Sequence, residues 1–280
     1  MEKDKISIIV TTFNRKKSLI KTVKSIINQS YKNIEIIIVD NFSNYNFFKL
    51  IKSFNDKRIF PYQNKNNNII SINRNFGVKQ SSSDFITFCD DDDIWFIDKL
   101  KYQLEVFKKN KEIILNSTLA ISVGYKSYFL GSNYGLLYRK INLNKNFILK
   151  YNPIILSSVM MRKKSFMDLN GFSEEKKLVS IEDLDLWLRA HDFGKISILN
   201  DIMVSYTHHS KNTSKYYINL RKEYFKEKNI SYMRNKYKTQ TNFLLNLIRS
   251  LIHFLNIKKI YLYKYLRKFF NINLFRIISN

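Results

Sequence analysis

Four consecutive aspartates, Asp90 to Asp93, are the residues best placed by type and spacing to do chemistry. They follow the uncharged run Phe85-Ile86-Thr87-Phe88-Cys89 and precede Ile94-Trp95. Carboxylates this close repel one another, and each raises its neighbours' pKa. A chain tolerates that where a cation sits among them or where water solvates all four. Apolar residues on both sides argue against full solvation. The residue types point to a hard divalent cation with oxygen ligands, Mn2+ or Mg2+, of the kind that shares its site with a substrate phosphate. The alternative is an acidic surface turn at a strand end.

The elements around the cluster alternate. Ile6 to Phe13 is a near-continuous apolar run, as expected of a strand buried on both faces of a parallel sheet. Asn14-Arg15 breaks it. Ser18 is expected to cap a helix through Asn28, with Leu19, Val23, Ile26 and Ile27 at helical spacing. Ile34 to Val39 repeats the buried-strand pattern and ends in Asp40. Phe47 to Phe54 reads as a helix, Arg58 to Tyr62 as a short strand, Ile70 to Gln80 as a helix and Phe85 to Cys89 as the next strand. Such alternation predicts βαβ units and a parallel sheet, with ligands bound outside the carboxyl ends of the strands. Thr11, Asp40 and Asp90 to Asp93 all stand at those ends, so the topology gathers them at one edge.

Further on, Ile97 to Lys109 is an amphipathic helix. Strands are expected at Ile113 to Val123, Lys126 to Phe129, Gly135 to Tyr138 and Ser158 to Met161, and Gly171-Phe172 marks a turn. Glu182 to Ala190 is a helix entered through acids, which suits the helix dipole. Lys195 to Leu199 and Met203 to Tyr206 read as two short strands, and His208 to Ser214 as a polar loop. After Ser214 the pattern is helical, with an apolar stripe from Phe243 to Leu255.

Composition bounds the rest. The 280 residues are 45% hydrophobic, enough for a folded globular chain. The single cysteine, Cys89, excludes an internal disulfide, and no Cys/His spacing suggests zinc. The N-terminus reads as no signal peptide, and no uncharged stretch is long enough to cross a bilayer. The net charge is +25, and residues 215–280 hold 15 Lys and Arg against 2 Glu. Nucleic acid, an anionic membrane surface and anionic substrates are the partner classes this charge allows.

Six short patterns occur in order: Thr11-x-x-Asn14-Arg15, Asp40-Asn41-x-Ser43, Asn73-Arg74-Asn75-x-Gly77, Asp90-x-Asp92-Asp93-x-Trp95, Gly171-Phe172 and Glu182-Asp183-x-Asp185-Leu186. Over roughly residues 5–214 the chain resembles an inverting family 2 glycosyltransferase. The resemblance implies a GT-A-type fold of the α/β class, a mostly parallel twisted sheet flanked by helices. Residues 1–214 would form the transferase domain, with a nucleotide-binding half to about residue 110 and an acceptor half over 111–214, followed by a basic helical extension over 215–280.

The roles implied by that resemblance are specific. Thr11 and Asp40 resemble the pair that holds the nucleobase, usually uracil, whose imide N–H needs an acceptor. Arg74 resembles the diphosphate contact, for which a guanidinium is suited. Asp92 is the expected metal ligand, with Asp90 close to the donor sugar or ribose and Asp91 the alternative if the register slips. The metal, Mn2+ or Mg2+, neutralises charge as the nucleoside diphosphate leaves. Asp183 resembles the base that takes the acceptor's proton, with Glu182 as the fallback. Trp187 is either a sugar-stacking ring or a core aromatic. His209 aligns with a family histidine near the diphosphate. Thr207 stands where the family has arginine, and Lys211 is the cation available to compensate.

The expected function is transfer of a sugar from a UDP-sugar to a glycan or lipid-linked glycan in surface polysaccharide or glycolipid synthesis. The expected place is cytoplasmic; the basic extension is either a peripheral anchor on the cytoplasmic membrane face or a helical cap packed on the domain or on a second copy of the chain. Two rivals remain. A sugar nucleotidyltransferase would carry a glycine-rich loop after the first strand, and Thr11 to Arg15 has no glycine. A nucleic-acid-binding protein would use the charge and the 18 Tyr and 22 Phe, yet four aspartates would repel phosphates unless metal-bound. No nucleic-acid partner is expected.

Overall fold

The computed structural model describes residues 4–124, 129–130, 143, 145, 148 and 152–208. The chain divides into two compact units, Met1–Lys228 and Asn229–Asn280. All described residues lie in the first, which alone is treated below. The boundary expected at 214/215, the polar loop beyond His208, the strand expected at Gly135 to Tyr138, most of the one at Lys126 to Phe129 and the extension 215–280 fall outside the described residues.

The first half alternates as its apolar periodicity requires: β1 Ile6–Thr12, α1 Lys16–Ile27, β2 Ile34–Asp40, α2 Phe47–Lys52, β3 Ile59–Gln63, α3 Ile70–Gln80 and β4 Phe85–Asp90. Then come β5 Ile94–Trp95, α4 Lys99–Lys109, β6 Ile113–Gly124, β7 Phe129–Leu130, a single 3-10 turn at Leu156–Ser158, β8 Met160–Arg162, α5 Lys163–Asp168, α6 Glu182–Phe193 and β9 Lys195–His208. One sheet of the described residues takes the order β3-β2-β1-β4-β8-β6-β9-β5, with β7 on β6. β1 pairs parallel with β2 and β4, and β2 with β3. Past β4 the sheet is mixed: β8 runs antiparallel to β4 and β6, while β6 and β9 are parallel.

Alternation along the buried strands assigns the helices to faces. Ile6, Ile8, Val10, Ile34, Ile36 and Ile38 share a core with Leu19 and Val23 of α1, Leu50 of α2 and Leu104 of α4. Ile9 and Phe88, opposite each other in the β1–β4 register, face the other way. There α3 comes so close that a Cβ on Gly77 would lie 2.6 Å from Ile9 Cγ2. Phe88 packs edge-on to Phe172, which packs edge-on to Trp187 of α6.

Three local expectations are corrected. Ser18 is no cap: α1 starts at Lys16, Arg15 stands at its N-cap, and the Ser18 hydroxyl donates back to the Arg15 carbonyl. Met160–Arg162 forms β8, but Ser158 belongs to the 3-10 turn, and the α5 helix that follows was not expected. The two short strands at 195–199 and 203–206 are one, β9. Its polar pair Asn200-Asp201 does not end the strand, because a register shift against β6 takes Leu199 opposite Thr118 and Ile202 opposite Leu119. The extra residues are absorbed as a bulge.

Candidate functional site

The acid cluster sits at the carboxyl end of β4, and its four side chains part in alternation. Asp91 and Asp93 turn inward, with side chains 6% exposed and residue 0% exposed respectively. Asp90 keeps 31% of its side-chain exposure and Asp92 keeps 11%.

The inward pair is fully engaged. The Thr12 hydroxyl donates to Asp91 Oδ2 at 2.7 Å. Asp93 accepts from Ser157 Oγ at 2.5 Å and from the Thr207 backbone N–H at 2.9 Å. Burial pushes Asp91 up to about 6, and burial with the neighbouring Asp90 raises Asp93 well above the usual carboxylate range. The Thr207 hydroxyl donates to the Asp92 carbonyl, so β9 clasps the cluster from beside. Arg15, at the head of α1, donates from Nη1 to Asp91 Oδ1 at 3.1 Å and to Asp92 Oδ2 at 2.5 Å. Thus Arg15 already supplies positive charge to the two carboxylates, and the burial of Asp91 and Asp93 departs from a solvated acidic turn.

Among the described residues no three acids, histidines or cysteines converge as a metal cage. Mg2+ and Mn2+ bound beside a diphosphate take one or two carboxylates and leave the other positions to phosphate and water. Asp92, a carboxylate with 11% of its side chain exposed and already drawn to a guanidinium, is of the type that demand calls for.

Across from the cluster stands α6. Its first residue, Glu182, is buried and accepts from Arg74 Nη1 at 2.6 Å, while Arg74 Nη2 donates to Asp90 Oδ1 at 2.9 Å. Glu182 Oε2 has no hydrogen-bond partner among the described residues. Asp183 is half-buried, and its Oδ1 accepts from the Leu184 N–H. Burial, then the adjacent Glu182, pushes Asp183 up to about 7. Ser180, two residues before α6, holds φ at +74°, an uncommon conformation for a non-glycine residue.

The nucleobase pair is placed less openly. Thr11 is buried in β1, in register with Val39 and Asp90. Asp40, at the end of β2, is fully buried and accepts from the Ser43 N–H, the Ser43 hydroxyl and Gln63 Nε2. Its carboxylate therefore organises the β2–α2 turn in this conformation. Trp187 is fully buried, which favours the core aromatic over the sugar-stacking ring. His209 and Lys211 lie outside the described residues.

Sequence reasoning passed over Arg15, Thr12, Ser157 and Tyr206 as site residues. Tyr206 lies where burial, then Asp93, Asp90, Asp92 and Asp183, all raise its phenol. Of these only Arg15 was visible beforehand, in the Thr11-x-x-Asn14-Arg15 pattern and without a role. Ser157 and Tyr206 reach the site through pairings 64 residues or more away, which carry no local signal.

Comparison with known proteins gives consistent matches. The profile described as "Glycosyl transferase family 2" matches residues 7–169. An uncharacterized glycosyltransferase of Rickettsia bellii is 32% identical over 190 residues, 66% of this chain and 26% of that protein. The chain therefore spans about a quarter of that relative's length. The Escherichia coli protein WfaP, named UDP-Glc:alpha-D-GlcNAc-diphosphoundecaprenol beta-1,3-glucosyltransferase, is 28% identical over 186 residues, 65% of this chain and 68% of WfaP. Among solved structures, Staphylococcus aureus TarS 1-349 in complex with UDP-GlcNAc matches with a TM-score of 0.63 at 21% identity, over 75% of this chain and 60% of that one. The mannosyltransferase PcManGT from Pyrobaculum calidifontis, in complex with GDP-Man and Mn2+, matches with a TM-score of 0.55 at 11% identity, over 75% of this chain and 59% of that one.

Proposed function

The chain belongs to glycosyl transferase family 2, and from that premise we propose that it moves a sugar, with inversion, from a UDP-sugar to a hydroxyl of a lipid-linked glycan. The observation that carries this reading is the arrangement of two separate carboxylate groups. Asp90 stays partly exposed and Asp92 less so at the strand end, and Asp183 lies across from them with a pKa near neutrality. The UDP donor is supported by the UDP-GlcNAc bound to TarS, and the acceptor class by the name of WfaP. A divalent cation is supported by the Mn2+ in PcManGT.

Each residue then has a task. Thr11 and Asp40 form the base-binding end of the site, with Asp40 exchanging one of its turn contacts for the imide N–H. Asp92 holds the Mn2+ or Mg2+, which when bound neutralises charge on the diphosphate. Asp90 lies at the donor sugar or ribose. Asp183 accepts the proton of the attacking hydroxyl, a task matched by a base poised near the working pH. Arg74 bridges Asp90 and Glu182 and lends its guanidinium to the diphosphate. The basic extension 215–280 is assigned to an anionic membrane surface at the cytoplasmic face, and His209 to the phosphate side.

The test is calorimetric titration of UDP with and without Mn2+, on the wild-type chain and on Asp92→Ala. The reading requires metal-dependent binding that the variant loses. Absence of UDP binding, with binding of another nucleoside diphosphate from a panel, would replace the donor; binding of none would remove the function.

A further inference from the structure

We propose that the helical layer α2–α1–α4 is a docking surface for an anionic lipid bilayer, separate from the C-terminal extension. The two helical layers of the sheet carry very different charge. The helices α1, α2 and α4, which share one face through the Ile6–Ile8–Val10 core, hold nine exposed lysines, besides the buried Lys99, and one glutamate. The helices α3, α5 and α6, on the Phe88–Phe172 side, hold five basic and five acidic residues. Composition bias would load both layers alike, so the asymmetry belongs to this surface.

The charge is on the outside and uncommitted. Lys16, Lys17, Lys21 and Lys24 of α1 and Lys49 and Lys52 of α2 are exposed. No ion pair found among the described residues includes any of the six. Large hydrophobic side chains are exposed on α2 and in the adjoining loops: Phe48 on α2 at 51%, Phe13 between β1 and α1 at 50%, Phe42 between β2 and α2 at 57%, and Ile97 between β5 and α4 at 54%. Both α1 and α2 begin at the carboxyl edge of the sheet, so this surface runs up to the rim of the acid cluster.

Charge complementarity selects the occupant. A second copy of the same face would repel it. Exposed lysines with interspersed Phe and Ile suit an anionic interface, where each lysine near the surface is attracted and apolar side chains enter the headgroup boundary. Nucleic acid is less well matched: the six cations are all lysine, without the guanidinium fork that reads phosphate bidentately, and Ile97 cannot stack on a base.

The test is co-sedimentation of the full chain with vesicles of phosphatidylcholine alone or with phosphatidylglycerol. The probe variant is Lys17→Gln, Lys21→Gln, Lys24→Gln and Lys49→Gln together, with Phe48→Ser as a second. None of these positions belongs to the transfer site, so UDP titration and thermal melting report on folding independently of lipid. Expected is salt-sensitive binding to the phosphatidylglycerol vesicles only, weakened by about a thousandfold in the quadruple variant, the loss expected when four surface lysines are removed, and more modestly in Phe48→Ser. Unchanged binding by the folded quadruple variant would assign lipid binding to the extension and overturn the proposal. Equal binding to neutral vesicles, or binding to a single-stranded oligonucleotide without vesicle binding, would overturn it as well.

Discussion

Arg74 and Glu182 are 108 residues apart in sequence and meet at 2.6 Å. The same guanidinium reaches Asp90 at 2.9 Å, so one side chain joins the strand-end acids to the helix that bears Asp183. Burial alone would depress the charge on Arg74, and Asp90 and Glu182 more than offset it. A guanidinium with two committed faces is a spacer between carboxylates that would otherwise repel.

Arg74→Met should therefore cost stability as well as binding. It strands Glu182, whose side chain is 7% exposed, and breaking a buried pair by removing one partner costs about 3–5 kcal/mol. Arg74→Lys should lose less, because the charge remains although one amine cannot span both carboxylates. Urea unfolding measures this. Unchanged stability in Arg74→Met with lost UDP affinity would show that the residue serves the donor alone.

The pH dependence of transfer should follow Asp183. With its pKa near 7, kcat/KM rises with pH below neutrality and levels off above it. Glu182→Gln removes the neighbouring negative charge, so the rising limb should move to lower pH. Stability runs the other way. The folded-state pKa is raised above the usual 3.8 of an aspartate, so the stabilisation is full below about pH 4 and is lost as pH rises through 7. Asp183→Asn should abolish transfer yet melt higher than wild type at pH 8. A variant that melts lower would mean that the carboxylate is not destabilised by its surroundings.

Much of this was legible from one dimension. The buried runs Ile6–Val10 and Ile34–Val39 announce parallel strands, and their ends announce the edge where Asp40 and Asp90 stand. The separate surroundings of the four aspartates were not: identical residues look alike until Thr12, Ser157 and Thr207 are seen to claim Asp91 and Asp93. Those donors come from three different elements, so their use is a property of the folded sheet. Asn200-Asp201 misled for a related reason. A polar pair ends a strand unless its neighbour can accommodate a bulge, and only the β6–β9 pairing reveals that it can.

Asp92 and Asp93 should separate function from folding although they are adjacent. Asp93 is fully buried between Ser157 and Thr207, and its loss leaves both donors unpaired. Asp93→Ala should cost about 2–3 kcal/mol, a fall in Tm of about 5–10 °C for a domain of this size, with Asp93→Asn milder. Asp92→Ala should change Tm far less and lose the metal-dependent part of nucleotide binding. Differential scanning calorimetry on the three variants decides it; equal losses at both positions would place Asp92 in the structural set.

The last prediction concerns a buried cation away from the site. Lys99 is fully buried at the head of α4, where Nζ donates to Gln103 Oε1 at 2.7 Å and to Thr87 Oγ1 at 3.3 Å and lies 3.9 Å from the Trp95 ring centre. No carboxylate among the described residues pairs with it, and burial lowers its pKa from 10.5 to about 7. Between those values the unfolded chain binds the proton and the folded chain does not, so stability rises with pH over that window. Below pH 7 folding must carry the buried charge in full. Lys99→Met keeps the length and removes the titration, though it leaves Gln103 Oε1 without its donor. The variant should show a flatter dependence of Tm on pH between 7 and 9.5 and a Tm at pH 6 no lower than wild type. Parallel slopes in the two proteins would mean that Lys99 stays charged in the fold, held by the Trp95 face and its two oxygen acceptors.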